Sequence, residues 1–180
     1  MRVKPRYNAE VNEWWMCDEG RYGFKFIDQN RLTQVLAQGT QATWEAALEA
    51  LASTLEKVKA QERQERIGIL PSAQLTTEEL FLVWRLTQAL KIEKVSAQVP
   101  EQPGFSDNLL IKADKNPNTA GAQQIGFLGK GVVSASQLIE QAIEGEIRVL
   151  WVFGHDLVAL FGEEKVKMLA EKLELFVFQG

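Results

Sequence analysis

From residue 42 onward the chain alternates between two hydrophobic periods. Trp44, Ala47, Leu48, Leu51, Leu55 and Val58 recur at helical spacing, which predicts a helix over residues 42–60 with one apolar stripe. Thr40 or Thr43 can cap its start. Ile67-Gly68-Ile69-Leu70, stopped by Pro71, is a short apolar run of the kind found in buried strands. Thr76 or Thr77, with Glu79 behind, opens a second helix in capping-box fashion. Leu80, Val83, Trp84 and Leu86 give that helix a core face through about Leu90. Residues 94–99 read as a second strand ended by Pro100. Residues 136–144 read as a short helix with Gly145 as its C-terminal stop. Residues 148–153 carry the strongest strand signal, ended by Gly154. An amphipathic helix over 163–172 uses Val166, Leu169, Ala170 and Leu173, and residues 175–178 form a last strand.

Strands and helices that alternate in this way predict an α/β fold. The expected core is a small open parallel sheet of about four strands, in the order 2-1-3-4, with helices on both faces and right-handed crossovers. Two segments break the pattern. Residues 1–30 are irregular and aromatic-rich, with Trp14, Trp15, Tyr22, Phe24 and Phe26 close together. Residues 100–135 carry Pro103-Gly104, Asn116-Pro117-Asn118, Gly121, Gly126, Gly129 and Gly131 without clear periodicity; such stretches are often functional or mobile. The organisation is therefore an N-terminal arm over 1–40 and an α/β domain over 41–180. No helix follows the last strand, and a bare strand edge templates pairing, so self-association is expected.

Length suits one domain with a small appendage. The net charge of −4 argues against a nucleic-acid binder, which would show a basic face. No apolar stretch reaches the roughly 20 residues of a membrane helix, and Met1-Arg2-Val3-Lys4-Pro5 is not a signal peptide. With a single cysteine no internal disulfide forms, and a cytoplasmic location is expected. Any membrane association would come through partner subunits.

The chemistry-bearing residues are few. Gly126-Phe127-Leu128-Gly129-Lys130-Gly131 fails as a phosphate loop, because Gln124 stands where the first glycine should and Lys130 precedes glycine rather than Ser or Thr. His155, the sole histidine, follows the best strand and sits beside Asp156. That end of a parallel sheet is where ligands bind, but no nucleophile is tied to the pair, and a loop histidine without chemistry is the preferred reading. Zinc is hard to assemble from one His and one Cys. Cys17 alone reads as a small hydrophobe or as one member of a metal site.

The letters around Cys17 favour the second reading. Arg6-Tyr7-Asn8-Ala9-Glu10-Val11-Asn12, followed by Trp15-Met16-Cys17-Asp18-Glu19-Gly20-Arg21-Tyr22, resembles the G-type subunit of the proton-pumping NADH:quinone oxidoreductases (complex I). More broadly it resembles the iron–sulfur/molybdopterin oxidoreductase family that includes formate dehydrogenases. In weaker letters the resemblance runs over nearly the whole chain.

The resemblance implies that Cys17 is the fourth ligand of a 4Fe–4S cluster, after three clustered cysteines that have no counterpart here. It implies that Asn118, Gly121, Gly126 and Gly154 match loops lying beside a molybdopterin cofactor in active members. Three departures oppose a working cofactor site. Glu19 stands where active members commonly carry lysine. The stretch Ser96-Ala97-Gln98-Val99 holds no cysteine for the metal, leaving Ser96 as the one candidate. Several hundred further residues are needed to enclose the cofactor. The expected function is that of a non-catalytic fragment or remnant of an electron-transfer subunit of the G type, with a scaffold role in the peripheral arm and other respiratory-complex subunits as partners. The isolated chain is expected to be inactive and to hold no cofactor. A piece of a molybdenum-dependent formate dehydrogenase-type enzyme and a stand-alone α/β binding module are the alternatives.

Overall fold

A computed structural model describes residues 3–29, 31–97, 99–101, 104, 106–109 and 111–180. The chain divides into two compact units, the first made of residues 1–42 and 101–115, the second of residues 43–100 and 116–180.

The first unit holds a short helix α1 (Asp18–Tyr22), continued by a 3-10 stretch over Gly23–Asp28. A small hairpin joins β1 (Leu36–Ala37) to β2 (Thr40–Gln41). Its two turn residues, Gln38 and Gly39, both have positive φ, 51° and 78°, the two-residue turn whose twist matches that of paired strands. Thr40 therefore belongs to the hairpin, and the helix that follows is capped by Thr43, whose hydroxyl accepts from the Ala46 N–H at 3.2 Å. Tyr7 packs on Trp14 with ring centroids 4.9 Å apart. Trp14 and Trp15 are both exposed.

The second unit is an open α/β layer structure. In chain order it comprises α2 (Trp44–Ala60), β3 (Ile67–Pro71), α3 (Thr77–Leu90), β4 (Lys94–Val95), α4 (Thr119–Ile125), α5 (Ala135–Ile143), β5 (Val149–Phe153), α6 (Leu157–Phe161), α7 (Glu163–Lys172) and β6 (Leu175–Gln179). The sheet order is β4-β3-β5-β6, all parallel. This is the 2-1-3-4 order expected of the four runs.

Alternate strand residues feed two cores. Ile67, Ile69, Val149 and Phe153 pack with Val58 of α2, Leu80 and Val83 of α3 and Ala122 of α4. Leu70, Leu150 and Val152 pack with Leu138 and Ile139 of α5, Leu157 of α6 and Leu169 of α7. Helices thus cover both faces, as parallel strands require. Gly68 sits on the second face. A β-carbon there would lie 3.0 Å from Ile147 Cδ1 and 3.2 Å from Leu138 Cδ2, so its missing side chain lets these side chains pack directly over the strand.

Four details differ from the periodic reading. The stretch expected to be irregular contains α4. The second strand ends at Val95 rather than 99, because Ala97 turns away and donates its N–H to Phe127 O at 2.9 Å; Gln98 lies outside the described residues. The helix expected over 136–144 begins at Ala135, with Ser134 and Gln137 forming a capping box. Trp84 is 37% exposed, and Trp44 and Leu48 are exposed as well. The core face of α3 is Leu80, Val83 and Thr87; Trp84 lies beside it, stacked on Phe81 at 5.6 Å.

Candidate functional site

Ligands of open α/β sheets bind outside the carboxyl ends of the strands, and three segments converge there. The β3–α3 loop begins at Ser72, the β5–α6 turn at Gly154, and the start of α4 packs against the first of these. Ser72 is fully buried and its Oγ accepts the Gln74 N–H at 3.1 Å. At the far end of this loop Thr76 caps α3 in a complete capping box with Glu79.

Asn118 fastens α4 to this loop. Its backbone N–H donates to Ala73 O at 3.0 Å. Its Nδ2 donates to Leu75 O at 3.0 Å and reaches Thr77 Oγ1 at 3.2 Å. The Asn118 side chain also occupies the space above Gly121, where a β-carbon would lie 2.2 Å from Asn118 Oδ1. Gly126 ends α4 in the left-handed region, φ 94°, which glycine enters without steric cost. Just beyond it, Phe127 is buried in the core.

Gly154 touches the same loop from the other side. It has φ 67°, and a β-carbon there would lie 3.3 Å from Ser72 Cβ and 3.7 Å from Leu75 Cδ2. Its N–H donates to Gln179 O at 2.7 Å, tying the turn to the end of β6. The neighbouring His155 is buried, with Nε2 3.1 Å from Pro71 O. A carbonyl only accepts, so Nε2 carries a proton in this contact. Burial lowers its pKa from the ordinary value of 6.5, against a smaller raising effect of the Pro71 hydrogen bond. Asp156 does not serve it as a partner acid at Oδ1, which accepts the Ala159 N–H at 3.0 Å and caps α6.

The structure therefore gathers Asn118, Gly121 and Gly154 around the 72–76 loop, with Gly126 at the other end of α4. Ser96 is buried at the end of β4, its N–H donating to Ile69 O at 3.1 Å. Ser72 and the 72–76 loop belong to no motif legible in the sequence. Their signal is positional, since the loop directly follows the apolar run that forms β3. A hollow of about 360 Å³ in this unit lies on α5, lined by Val133, Ser136, Gln137 and Glu140 among others, and shares no residue with this cluster.

Cys17 belongs to the first unit. It is the N-cap of α1 and half-buried, and its Sγ accepts from the Gly20 N–H at 3.4 Å. The next turn carries Glu19, which pairs with Lys115 Nζ at 3.2 Å. No group of three or more His, Cys, Asp or Glu side chains that could hold a metal ion occurs among the described residues. One thiol cannot hold a cubane that takes four ligands, so these residues by themselves do not fit an iron–sulfur cluster. Within the strand-end cluster the Asn118 carboxamide is taken up by Leu75 O and Thr77 Oγ1.

The fold and this loop cluster define an open, parallel α/β unit with the ligand end of its sheet bound up in internal contacts. The residues around Cys17 resemble the G-type subunit of complex I, and curated relatives bear that resemblance out. The chain is 36% identical over 102 residues to NADH-quinone oxidoreductase subunit 3 of Thermus thermophilus, covering 54% of this chain and 12% of that protein. It is 36% identical over 87 residues to the G subunit of the NADH-quinone oxidoreductase of Streptomyces coelicolor, covering 45% of this chain and 10% of that protein. It is 28% identical over 93 residues to a putative formate dehydrogenase of Bacillus subtilis, covering 49% of this chain and 10% of that protein. These matches relate the chain to oxidoreductases, while the matched stretch spans only about an eighth or less of each relative's length. No protein-family model matches the chain. No helix among the described residues is long and apolar enough to cross a membrane.

Proposed function

We propose that this chain is a fragment or remnant of a G-type subunit of NADH:quinone oxidoreductase, with a non-catalytic scaffold role in the peripheral, electron-carrying arm. The observation that carries the scaffold role is the Asn118 side chain. It is held by Leu75 O and Thr77 Oγ1 and lies over Gly121, so a side chain that the family resemblance would set beside a cofactor is engaged by the chain's own loop, which supports this reading. The similarity to NADH-quinone oxidoreductase subunits supports that choice of parent. In such a parent Cys17 would be one of four ligands to a 4Fe–4S cluster, the other three coming from outside these 180 residues. The partners are the other subunits of the complex, which would hold the chain at the cytoplasmic side of the membrane. Similarity to a putative formate dehydrogenase favours a second reading, a molybdenum-dependent oxidoreductase of that type.

The test is to recover the native polypeptide from its source with an antibody raised against residues 43–180, then measure its mass and its companions. A polypeptide several times larger than 20.3 kDa, accompanied by NADH:quinone oxidoreductase subunits, is the expected result. Companions of a formate dehydrogenase complex would select the second reading. A free 20.3 kDa polypeptide without companions would overturn both.

A further inference from the structure

β6 is one of the two edge strands of the sheet. The sheet order ends at this strand, so among the described residues no strand pairs with its far side. Hydrogen bonds on the near side fix which backbone groups face outward. Leu175 N–H donates to Arg148 O at 3.2 Å, and Gln179 O accepts from Gly154 N–H at 2.7 Å. Leu175, Val177 and Gln179 thus point their backbone groups at β5. The N–H and C=O of Phe176 and Phe178 point outward, because these groups alternate along a strand.

Edge strands of stable monomers carry charges, prolines or bulges that discourage pairing. Residues 175–179, Leu-Phe-Val-Phe-Gln, carry no charge and no proline. Their order is also self-complementary. Turn a second copy antiparallel about Val177, and Phe176 faces Phe178 of the copy while Phe178 faces its Phe176. Both are pairs with outward backbone groups, so each exchanges two hydrogen bonds. The aromatic side chains of both pairs share one face, an arrangement that adds stability to a sheet. Glu174 falls opposite Gly180, whose terminal carboxylate in the 180-residue chain is a like charge at the rim of the register, where salt screens it.

We propose that the β6 edge is a homodimer interface, in which two copies join antiparallel in a register centred on Val177 to form one eight-stranded sheet. This interface does not depend on the parent-subunit reading; it concerns the chain by itself. The contact is small, so dissociation in the micromolar range is expected.

Sedimentation equilibrium of the 180-residue chain, up to about 100 micromolar, should show a concentration-dependent species of twice 20.3 kDa. Phe178→Pro removes one outward N–H per copy and no bond to β5. It should weaken association about tenfold or more while circular dichroism and the thermal midpoint show the fold retained. Register is read separately in a Cys17→Ser background. There Val177→Cys places two thiols on the two-fold axis, with Cα atoms about 4.5 Å apart, inside the range a disulfide spans. Phe178→Cys does not. Ready oxidation to a covalent dimer at 177 and not at 178 is the expected result. A chain that stays monomeric, or association insensitive to Phe178→Pro, or equal cross-linking at both positions, would overturn the proposal.

Discussion

Asn118 and Gly121 compete for one volume: the Asn118 carboxamide oxygen lies 2.2 Å from where the first side-chain carbon of residue 121 would stand. The two residues form a single device. Asn118 bonds the 72–76 loop only because Gly121, one turn further along α4, leaves room for it to lie down.

Gly121→Ala should therefore destabilise the second unit by about 0.5–1.5 kcal/mol, since it pushes a hydrogen-bonded side chain away from the partly buried Leu75 O and the exposed Thr77 Oγ1. In an Asn118→Ala background the same change should be neutral or stabilising, because alanine is preferred to glycine inside a helix by about 1 kcal/mol. Urea unfolding of the four proteins in a double-mutant cycle checks this. Additive effects would show that the two residues are not coupled.

His155 makes stability depend on pH. Its pKa is lowered in the folded protein, so below about 6.5 the unfolded chain takes up a proton that the folded one resists. The contribution is complete above about 6.5 and is lost as pH falls from there toward the lowered folded value. Each pH unit in that window costs up to about 1.4 kcal/mol. His155→Gln should flatten the difference in urea midpoint between about pH 7.5 and about pH 5.5, which bracket the ordinary histidine value. An unchanged slope in that variant would assign the dependence to other groups.

Much of this framework is legible from the chain alone, for reasons that individual residues show. The runs at Ile67, Val149 and Leu175 are short, apolar and stopped by Pro71, Gly154 and the end of the run, so they read as buried strands without tertiary knowledge. Thr76 and Glu79 announce the start of α3, and both hydrogen bonds of the capping box are present. By contrast α4 spans seven residues and buries little besides Gly121 and Ala122, too few for a period to show. The end of β4 at Val95 depends on Phe127, a residue distant in sequence that captures Ala97. The site follows the same rule. Glycine and asparagine in the 116–126 stretch mark a tight structure, but that Asn118 reaches Leu75 and lies across Gly121 is a tertiary fact. Trp84 has the spacing of a core residue yet flanks the core, because helical spacing alone does not separate a core position from a flank stacked on Phe81.

Gly68 tests the packing of β3 against α5. A methyl at residue 68 meets Ile147 Cδ1 at 3.0 Å, tighter than a well-packed core accepts. Gly68→Ala should cost about 1–3 kcal/mol by overpacking. Ile147→Val deletes the clashing Cδ1, and in that background the cost should fall by at least about half, leaving contacts with Leu138 Cδ2 at 3.2 Å and Ile147 Cγ2 at 3.3 Å. Thermal denaturation of the two single variants and the double variant measures this. A full cost in the double variant would place the strain in the backbone of β3 rather than in the contact with Ile147.

Iron tests the reading of Cys17 as one ligand of four. Cys17 is the sole thiol of the chain, its Sγ accepts the Gly20 N–H at the start of α1, and no cluster of metal-ligating side chains surrounds it among the described residues. A 4Fe–4S cubane takes four ligands, usually thiolates, so the 180-residue chain supplies a quarter of the usual set. Anaerobic reconstitution with iron and sulfide, followed by desalting, should leave well under about one iron per chain. Cys17→Ser should leave that residue of iron unchanged, because adventitious iron does not depend on the thiol. In the same sample Cys17, half-buried, should react with a thiol reagent at about one equivalent without denaturant. About four irons per chain with the matching visible absorption, lost in Cys17→Ser, would mean that the remaining ligands are not cysteines or come from other copies. The need for three thiolates from outside these residues would then disappear.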